Sequence, residues 1–335
     1  MGEMMNGYEL LEPFQNRNAG FSRWTFALRR QEVFFLKEFM NPVYPGEDIA
    51  ENLRQMRIDD CKEFEEKKSR LYQAINRASD GNMIRIVDFF RYNSHYYIAT
   101  PRAIDAKLSF EEIAMCPMED RVLLCRTLAN SMKRLHEAGI VHSDIKATNV
   151  IVQKTATGKL CAKLVDFGSS FFEAEAPESE DELGGDQVYL APEACRFIFG
   201  EPVKLNSKID VFALGLLFHQ YLTGSLPGFD NSTYDYAYEA VLDGQQLVVS
   251  SELPQYLGII LQQMLLCEPE ARCCIAEVFD YLGMFLTKET SPMEEVNSQD
   301  EEAAEEVDWS AVVAAREKHT TSASPADFFH AAGDL

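Results

Sequence analysis

VHSDIKATNV at residues 141–150 is the stretch that decides the fold, and VDFG at 165–168 and YLAPE at 189–193 follow it in order. In the first motif, the spacing of Asp144, Lys146 and Asn149 lets one loop present a base, an ammonium group and a metal ligand to a single point. The second motif adds Asp166, a further carboxylate suited to holding a metal ion. Each motif alone is a weak signal, but together they supply the parts that phosphoryl transfer from ATP requires.

The three motifs resemble those of the eukaryotic-like protein kinase family, and the resemblance covers roughly residues 8–287. It implies an α+β fold with two lobes. Residues 1–102 would form a small lobe of antiparallel sheet with one main helix, and 103–287 a larger, mostly helical lobe. Residues 288–335, rich in Glu, Ser, Ala and Pro, are predicted to be an acidic, disordered tail. Lys146 matches the pattern of Ser/Thr enzymes, so the implied activity is transfer to Ser and Thr hydroxyls of proteins.

The resemblance also assigns roles to individual residues. Asp144 would orient the substrate hydroxyl and accept its proton, with Lys146 beside it. Asn149 and Asp166 would hold Mg²⁺, with Mn²⁺ as the alternative ion, between the protein and the phosphates of ATP. Lys37 would steady the α- and β-phosphates, and the alternative is an edge-strand lysine with a solvated head. The remaining nucleotide-binding residues implied are Ala19, Gly20, Phe21, Ala99 and Thr100.

Lys37 needs a carboxylate partner on the helix that follows it. The sequence CKEFEEKKSRLYQAIN, residues 61–76, contains three candidates. We predict that Glu66 is the partner, with Glu65 and Glu63 as open alternatives. The same acidic and basic run is also typical of a solvated helix face.

The loop between the first long strands departs from the family's glycine-rich pattern. QNRNAGFSRW, residues 15–24, retains only Gly20. Backbone N–H groups cradle phosphates, so a loop with fewer glycines can still serve. We expect Ala19 to take a glycine-like position and Phe21 to cover the phosphates. The departure bears directly on the affinity for ATP.

Two features indicate activity without phosphorylation of the activation segment. Ser143 stands where the family usually has an arginine that reads a phosphorylated residue, so the motif is of the non-RD type, HSD in place of HRD. Residues 173–186 already carry seven acidic side chains and no Lys or Arg. We therefore predict that activity does not require a phosphate on this segment.

Charge and composition limit the remaining functions. The formal net charge is −23, of which 173–186 contribute seven units and 289–308 contribute nine, leaving about −7 for the rest of the chain. Such a body has no basic stripe, so nucleic-acid binding is not expected. The eight cysteines form no CxxC pair, and no apolar run approaches the ~18 residues of a membrane span. These patterns predict a soluble cytoplasmic protein without a signal peptide.

The tail permits two interpretations. It is a solvated spacer, or its aromatic residues, Trp309, Phe328 and Phe329, dock on a groove while the acidic stretch attracts a basic substrate protein. Oligomeric state is not indicated by the sequence.

Local patterns predict the elements around the motifs. The resemblance implies that Glu193 pairs with Arg272, and that Asp210, like the family's helix-starting aspartate, binds the backbone of the catalytic loop. Taken alone, Asp210 is only a charge at a helix N-terminus. Gly139 should end the helix before that loop. The predicted strands are 8–14, 23–29, 32–39, 83–91 and 95–100, and the predicted helices are Glu47–Ile75, 119–138, 208–223 and 253–267.

The sequence leaves open two alternatives to a protein kinase. Small-molecule kinases of the aminoglycoside or choline type share the x-D-x-x-x-x-N loop but lack the APE segment and its distal arginine. A pseudokinase scaffold is favoured by the altered glycine loop, whereas Lys37, Asp144, Asn149 and Asp166 argue against it.

Overall fold

Two eight-residue runs, SRWTFALR and EVFFLKEF, form the hairpin on which the first part of the molecule is built. The computed structural model describes residues 3–16, 22–179, 183 and 185–290. In it, Ser22–Arg29 and Glu32–Phe39 pair antiparallel with Trp24 opposite Lys37 and Phe26 opposite Phe35. Arg30 and Gln31 connect them with φ of 51° and 69°, the positive values that a tight two-residue hairpin turn requires.

This hairpin lies within a six-stranded antiparallel sheet whose strand order is β1-β2-β3-β4-β6-β5. Ala27, Phe34 and Leu36 are buried on one face of the sheet, and Lys37 lies on the other because side chains alternate along a strand. The strands are β1 (Met4–Met5), β2 (Tyr8–Leu10), β3 (Ser22–Arg29), β4 (Glu32–Phe39), β5 (Asp88–Tyr92) and β6 (His95–Pro101).

A single long helix, α1 (Glu51–Ala78), follows β4 and packs on the sheet face that carries Lys37. Its Phe64 ring lies 5.6 Å from that of Phe39 and 5.1 Å from that of Tyr96. Leu71 and Ile75 are buried one helical turn apart, so one stripe of α1 faces the protein interior.

Helices dominate the chain after β6, joined by short paired strands. Thirteen of the sixteen residues of α5 (Lys208–Thr223) are buried, as expected of a helix that is apolar on all sides. Gly224 ends it with φ of 86°, a left-handed conformation that glycine adopts without strain. The other helices are α2 (Phe110–Ala114), α3 (Met118–Glu137), α4 (Pro192–Ile198), α6 (Ala237–Leu242), α7 (Gln255–Met264) and α8 (Ile275–Thr290). The short strands are β7 (Ile140–Val141), β8 (Val150–Lys154), β9 (Leu160–Leu164) and β10 (Phe171–Phe172).

The predicted α+β fold is confirmed, with a small antiparallel sheet and one main helix followed by a larger helical part. Helix 208–223 has its predicted bounds, and Gly139 follows α3 with φ of 67°. The predicted strand 83–91 begins only at Asp88, because Met83 pairs with Leu164 instead. Strand 8–14 ends at Leu10, ahead of Pro13, which has no N–H to donate.

Through the described part of the chain, no helix is long and apolar enough to cross a bilayer. Residues 291–335, with the predicted tail, lie outside the described residues, and the predicted lobe boundaries stay predictions.

Candidate active site

Asp210 of α5 holds the catalytic loop between β7 and β8 in place. The Asp210 carboxylate is buried, and it accepts hydrogen bonds from the backbone N–H groups of His142 and Ser143, both at 2.8 Å. Ser143 has φ of 65°, so the chain turns sharply just before Asp144. The predicted role of Asp210 is confirmed. This buried carboxylate fixes the backbone of the two residues before Asp144.

Asp144, Lys146 and Asn149 are brought together as the motif predicts. One carboxylate oxygen of Asp144, Oδ2, accepts from Lys146 Nζ at 2.9 Å and from Asn149 Nδ2 at 2.8 Å. Asn149 Nδ2 also donates to the backbone oxygen of Asp144 at 2.7 Å. The other carboxylate oxygen, Oδ1, is buried and has no hydrogen-bond partner within the described residues. The loop thus orients the carboxylate through Oδ2, and Oδ1 is left buried and unpaired within the described residues.

Asp166 follows β9 and meets Lys37 of β4 across the cleft. Both Asp166 oxygens accept from Lys37 Nζ, at 2.7 and 2.8 Å. Burial acts to raise the pKa of Asp166, but the charge and hydrogen bonds of Lys37 outweigh it and lower that pKa overall. Gly168 lies close beside this pair: a Cβ there would be 3.1 Å from Lys37 Nζ and 3.2 Å from Asp166 Oδ1, so a larger residue would require these side chains to shift. Asp166 is therefore ionised and bound to Lys37.

The predicted pairing of Lys37 with Glu66 is wrong for this structure, in which the ionic partner of Lys37 is Asp166. Glu66 and Glu63 are exposed on α1. Glu65 accepts a hydrogen bond from the Tyr96 hydroxyl at 2.6 Å. The reason is the rotation of α1: packing of Phe64 against the sheet turns Lys68 towards the cleft. Glu66, two residues earlier, points roughly 200° away around the helix.

Lys68 therefore occupies the position on α1 that faces Asp166. Its ammonium donates to the backbone oxygens of Gly168, at 2.6 Å, and Ser170, at 3.4 Å. Burial, followed by the charges of Lys67 and Lys37, lowers the pKa of Lys68 to about 8. One turn further along α1, Tyr72 is buried with a hydroxyl that has no partner within the described residues. Two ammonium groups thus lie near a single carboxylate, and the segment after Asp166 is fastened to α1.

Aromatic side chains form the sheet surface next to Lys37. The Trp24 ring lies 5.5 Å from that of Phe26 and 5.4 Å from that of Phe35. These rings share the face of Lys37, since Trp24 pairs with Lys37 and Phe26 with Phe35. This face of the hairpin is therefore an apolar aromatic cluster with mostly edge-to-face rings.

The structure separates the two predicted nucleotide-binding residues of β6. Thr100 is paired with Phe35 and so lies on the cleft face. Ala99 is fully buried in the apolar cluster on the opposite face, with Leu36 and Phe34. The Ala99 side chain therefore faces away from the cleft, because neighbouring residues of a strand point to opposite faces, and its role in nucleotide binding stays a prediction. The predicted loop residues Ala19, Gly20 and Phe21 lie outside the described residues.

The activation segment is attached to its surroundings by acidic and hydroxyl side chains. Glu175 forms an ion pair with Arg70 of α1, and the Arg70 guanidinium lies 5.1 Å from the ring centre of Phe172. Glu173 accepts from the backbone N–H of Ser207 at 3.2 Å. Ser143, which replaces the family's arginine, donates to the backbone oxygen of Ser169 at 3.0 Å.

Behind the activation segment, the predicted ion pair of Glu193 with Arg272 is confirmed. The two side chains are 1% and 0% exposed. The guanidinium donates to both Glu193 oxygens, at 2.5 and 2.7 Å. Arg272 also donates to the backbone oxygens of Leu266, Lys208 and Cys267. This buried network ties α4 to the start of α5 and to the turn before α8.

The donor atoms near the cleft fit a divalent cation. Asp166 supplies a carboxylate and Asn149 an amide oxygen, the hard oxygen ligands that Mg²⁺ takes in combination with substrate phosphates. In this structure the Asp166 carboxylate is occupied by Lys37. A cation would therefore share Asp166 with Lys37 or displace it.

Three features of the site were missed from the sequence: Lys68, the aromatic surface and the Arg70–Glu175 pair. The aromatic surface has a sequence signal, because Trp24, Phe26, Phe35 and Lys37 alternate along two adjacent strands. Lys68 has a weaker one, since it lies one turn before Tyr72 and two turns before Asn76 on the same stripe.

Comparisons with known proteins agree with this geometry. Residues 52–282 match the family model described as a protein kinase domain. The serine/threonine-protein kinase pkn2 of Myxococcus xanthus is 29% identical over 216 residues, which cover 61% of this chain and 24% of that protein. The serine/threonine-protein kinase PSK2 of Saccharomyces cerevisiae is 28% identical over 212 residues, covering 62% of this chain and 18% of that protein. Calcium-dependent protein kinase 9 of Arabidopsis thaliana is 24% identical over 246 residues, 66% of this chain and 42% of that protein. The chain therefore matches less than half the length of each of these relatives.

Proposed function

This chain belongs to the protein kinase domain family, and from that membership we propose that it transfers the γ-phosphoryl group of ATP to Ser and Thr hydroxyls of protein substrates. The observation that carries the proposal is the Asp144 carboxylate. Lys146 and Asn149 hold one of its oxygens, and the other is buried without a partner within the described residues. A substrate hydroxyl needs an oriented, unpaired carboxylate oxygen as its acceptor, and in this proposal substrate binding uncovers Oδ1.

In this proposal each residue has a separate task. Asp144 accepts a hydrogen bond from the substrate hydroxyl, aligns it for in-line attack and takes its proton as the new bond forms. Lys146, 2.9 Å from Asp144, offsets the negative charge of the attacking oxygen and the transferred group. Lys37 directs its ammonium to the phosphates of ATP. Asn149 and Asp166 provide oxygen ligands for Mg²⁺, which supplies further neutralisation of the phosphate charge when bound. Exclusion of water and alignment carry most of the acceleration.

A second part of the proposal is that activity does not depend on phosphorylation of the activation segment. Glu175 supplies a negative charge that pairs with Arg70 of α1 without any modification. Ser143 donates to the backbone oxygen of Ser169, and Glu173 accepts from the backbone N–H of Ser207. These contacts of residues 169–175 form without a phosphate and support the proposal.

Phosphatase treatment of the purified protein should therefore leave its transfer rate nearly unchanged. Arg70→Glu should lower the rate, because it places two carboxylates together and releases Glu175 from α1. Arg57→Glu is the matched control, since Arg57 is exposed on the same helix. A rate that falls tenfold or more after phosphatase treatment, about 1.4 kcal/mol in barrier, would contradict this part of the proposal.

A nucleotide-binding scaffold without transfer activity is the second candidate function. The direct Lys37–Asp166 pair and the presence of Lys68 favour it, because they alter the charges that face the phosphates. A small-molecule kinase is less well supported. The buried Glu193–Arg272 pair joins the APE segment to its distal arginine, a feature absent from those families' pattern.

One assay separates these functions. Purified protein is incubated with labelled ATP and Mg²⁺, with a generic Ser/Thr peptide, a basic protein, a tyrosine peptide, choline or an aminoglycoside as acceptor. We expect phosphoserine and phosphothreonine, and the Asp144→Asn variant controls for contaminating kinases. Labelled phosphotyrosine, or no labelled protein with any acceptor or metal, would rule out the proposed activity. We also propose a preference for basic substrates, which is tested by comparing transfer to the basic protein with transfer to the generic Ser/Thr peptide. A cytoplasmic location is a separate part of the proposal.

A further inference from the structure

Lys68 is a cation that the predicted mechanism does not use, and it lies in the cleft. It extends from α1 to the backbone oxygens of Gly168 and Ser170. Its charge interacts with both Lys37 and Asp166. Lysine has three N–H donors, so two carbonyl acceptors leave one donor without an acceptor within the described residues. The Tyr72 hydroxyl, one turn away, is likewise buried and unpartnered there. Two donors are therefore available beside Asp166.

The exchange of a carboxylate for an ammonium changes the charge of the cleft. The expected trio was Lys37, a glutamate of α1 and Asp166, with a net charge of −1. The observed trio is Lys37, Lys68 and Asp166, with a net charge of +1. The difference of two positive units equals the charge of one divalent cation. In a partly dehydrated cleft this difference acts strongly on phosphate groups, because the dielectric screening is reduced.

We propose that Lys68 is a second cation for nucleotide phosphates, so that this cleft binds ATP and ADP with little dependence on divalent metal. The inference rests on the proposed function only in that the ligand is a nucleotide. Lys68 donates its remaining N–H to a phosphate oxygen, and Lys37 turns from Asp166 to the same phosphates. The purely structural alternative is that Lys68 only fastens the segment after Asp166 to α1.

The test measures dissociation constants of ATP, ADP and adenosine by calorimetry, in EDTA and in Mg²⁺, for wild type and variants. For wild type we expect ATP affinities that differ by less than about threefold between the two conditions, under 1 kcal/mol. In Lys68→Glu the new carboxylate would pair with Lys37 and release Asp166 for metal. That variant should bind ATP at least about tenfold more weakly in EDTA and recover most of the affinity in Mg²⁺.

Two comparisons separate phosphate binding from a structural role. Lys68→Met removes the cation without adding a negative charge. It should weaken the binding of ATP and ADP in EDTA and leave the dissociation constant of adenosine unchanged. Lys62→Glu is the matched control, because it makes the same charge change at an exposed position of α1, and it should leave the affinities for ATP and ADP unchanged. Equal losses for adenosine and ATP would show that Lys68 acts only through conformation and would overturn the inference. Strict metal dependence of the wild type, or absence of nucleotide binding, would overturn it as well.

The transfer assay keeps this inference distinct from the proposed function. Transfer together with strictly metal-dependent binding would refute the role of Lys68 and leave the kinase proposal standing. Metal-independent binding without transfer would support the role of Lys68 and refute the kinase proposal. Thermal melting of each variant confirms that the fold is retained before binding is compared.

Discussion

Asp144→Asn is expected to lower kcat by about 10²–10⁴-fold, the contribution of a positioned general base. The amide oxygen can still accept from Lys146 and Asn149, which hold Asp144 Oδ2 at 2.9 and 2.8 Å. The amide nitrogen then takes the place of Oδ1, the oxygen left without a partner. An acceptor facing the substrate hydroxyl is replaced by a donor, while the loop keeps its shape.

Steady-state kinetics with a Ser/Thr peptide measure this effect. The loss should appear in kcat, and the dissociation constant of ATP should stay within about threefold of wild type, because Asp144 does not contact the nucleotide in this proposal. Asp235→Asn, which makes the same chemical change at an exposed aspartate before α6, should leave both values unchanged. Equal kcat values for Asp144→Asn and wild type would show that Asp144 is not the base.

The catalytic loop is predictable from the sequence because its geometry is local. Asp144, Lys146 and Asn149 lie within six residues, and their hydrogen bonds form inside one turn of chain. The anchor of the loop, Asp210, lies 66 residues beyond Asp144. Its contact with the loop was predicted only from the family resemblance, because an acidic residue at the start of a helix does not by itself indicate a distant partner. Where the chemistry is contained in a short motif, spacing alone indicates the arrangement.

The partner of Lys37 depends instead on the rotation of α1, which the sequence does not determine. Glutamates occupy positions 63, 65 and 66, so one lies near the cleft face for several rotations of the helix. The rotation is decided by contacts distant in sequence, chiefly Phe64 against Phe39 and Tyr96. These contacts turn Lys68 inward.

The placement of Ala99 illustrates the same limit in a strand. Adjacent strand residues face opposite sides of the sheet, so an error of one residue in register transfers a side chain from the cleft to the buried face. Pairing of β6 with β4 puts Thr100 opposite Phe35 and Ala99 opposite Leu36. Only the pairing distinguishes them, and pairing is a long-range property.

Arg272→Ala is expected to reduce the free energy of unfolding by about 3–5 kcal/mol, the effect of breaking a buried ion pair by removal of one partner. Glu193 would remain 1% exposed with an uncompensated charge. The backbone oxygens of Leu266 and Cys267, at 2.6 and 2.7 Å from the guanidinium, would also lose a donor. Arg272→Lys should recover only part of the loss, since an ammonium cannot reproduce the two-pronged contact with Glu193.

Urea unfolding, monitored by circular dichroism, measures the change in the free energy of unfolding. Arg196→Ala is the matched control. Arg196 lies on the same helix as Glu193, and its pair with Glu268 is 3.4 Å long and partly exposed, so its removal should cost less than about 1 kcal/mol. The double variant Glu193→Gln/Arg272→Ala should be more stable than the sum of the single changes predicts, because it removes the unpaired buried charge. Equal losses for Arg272→Ala and Arg196→Ala would mean that the buried pair contributes no more to stability than a surface contact.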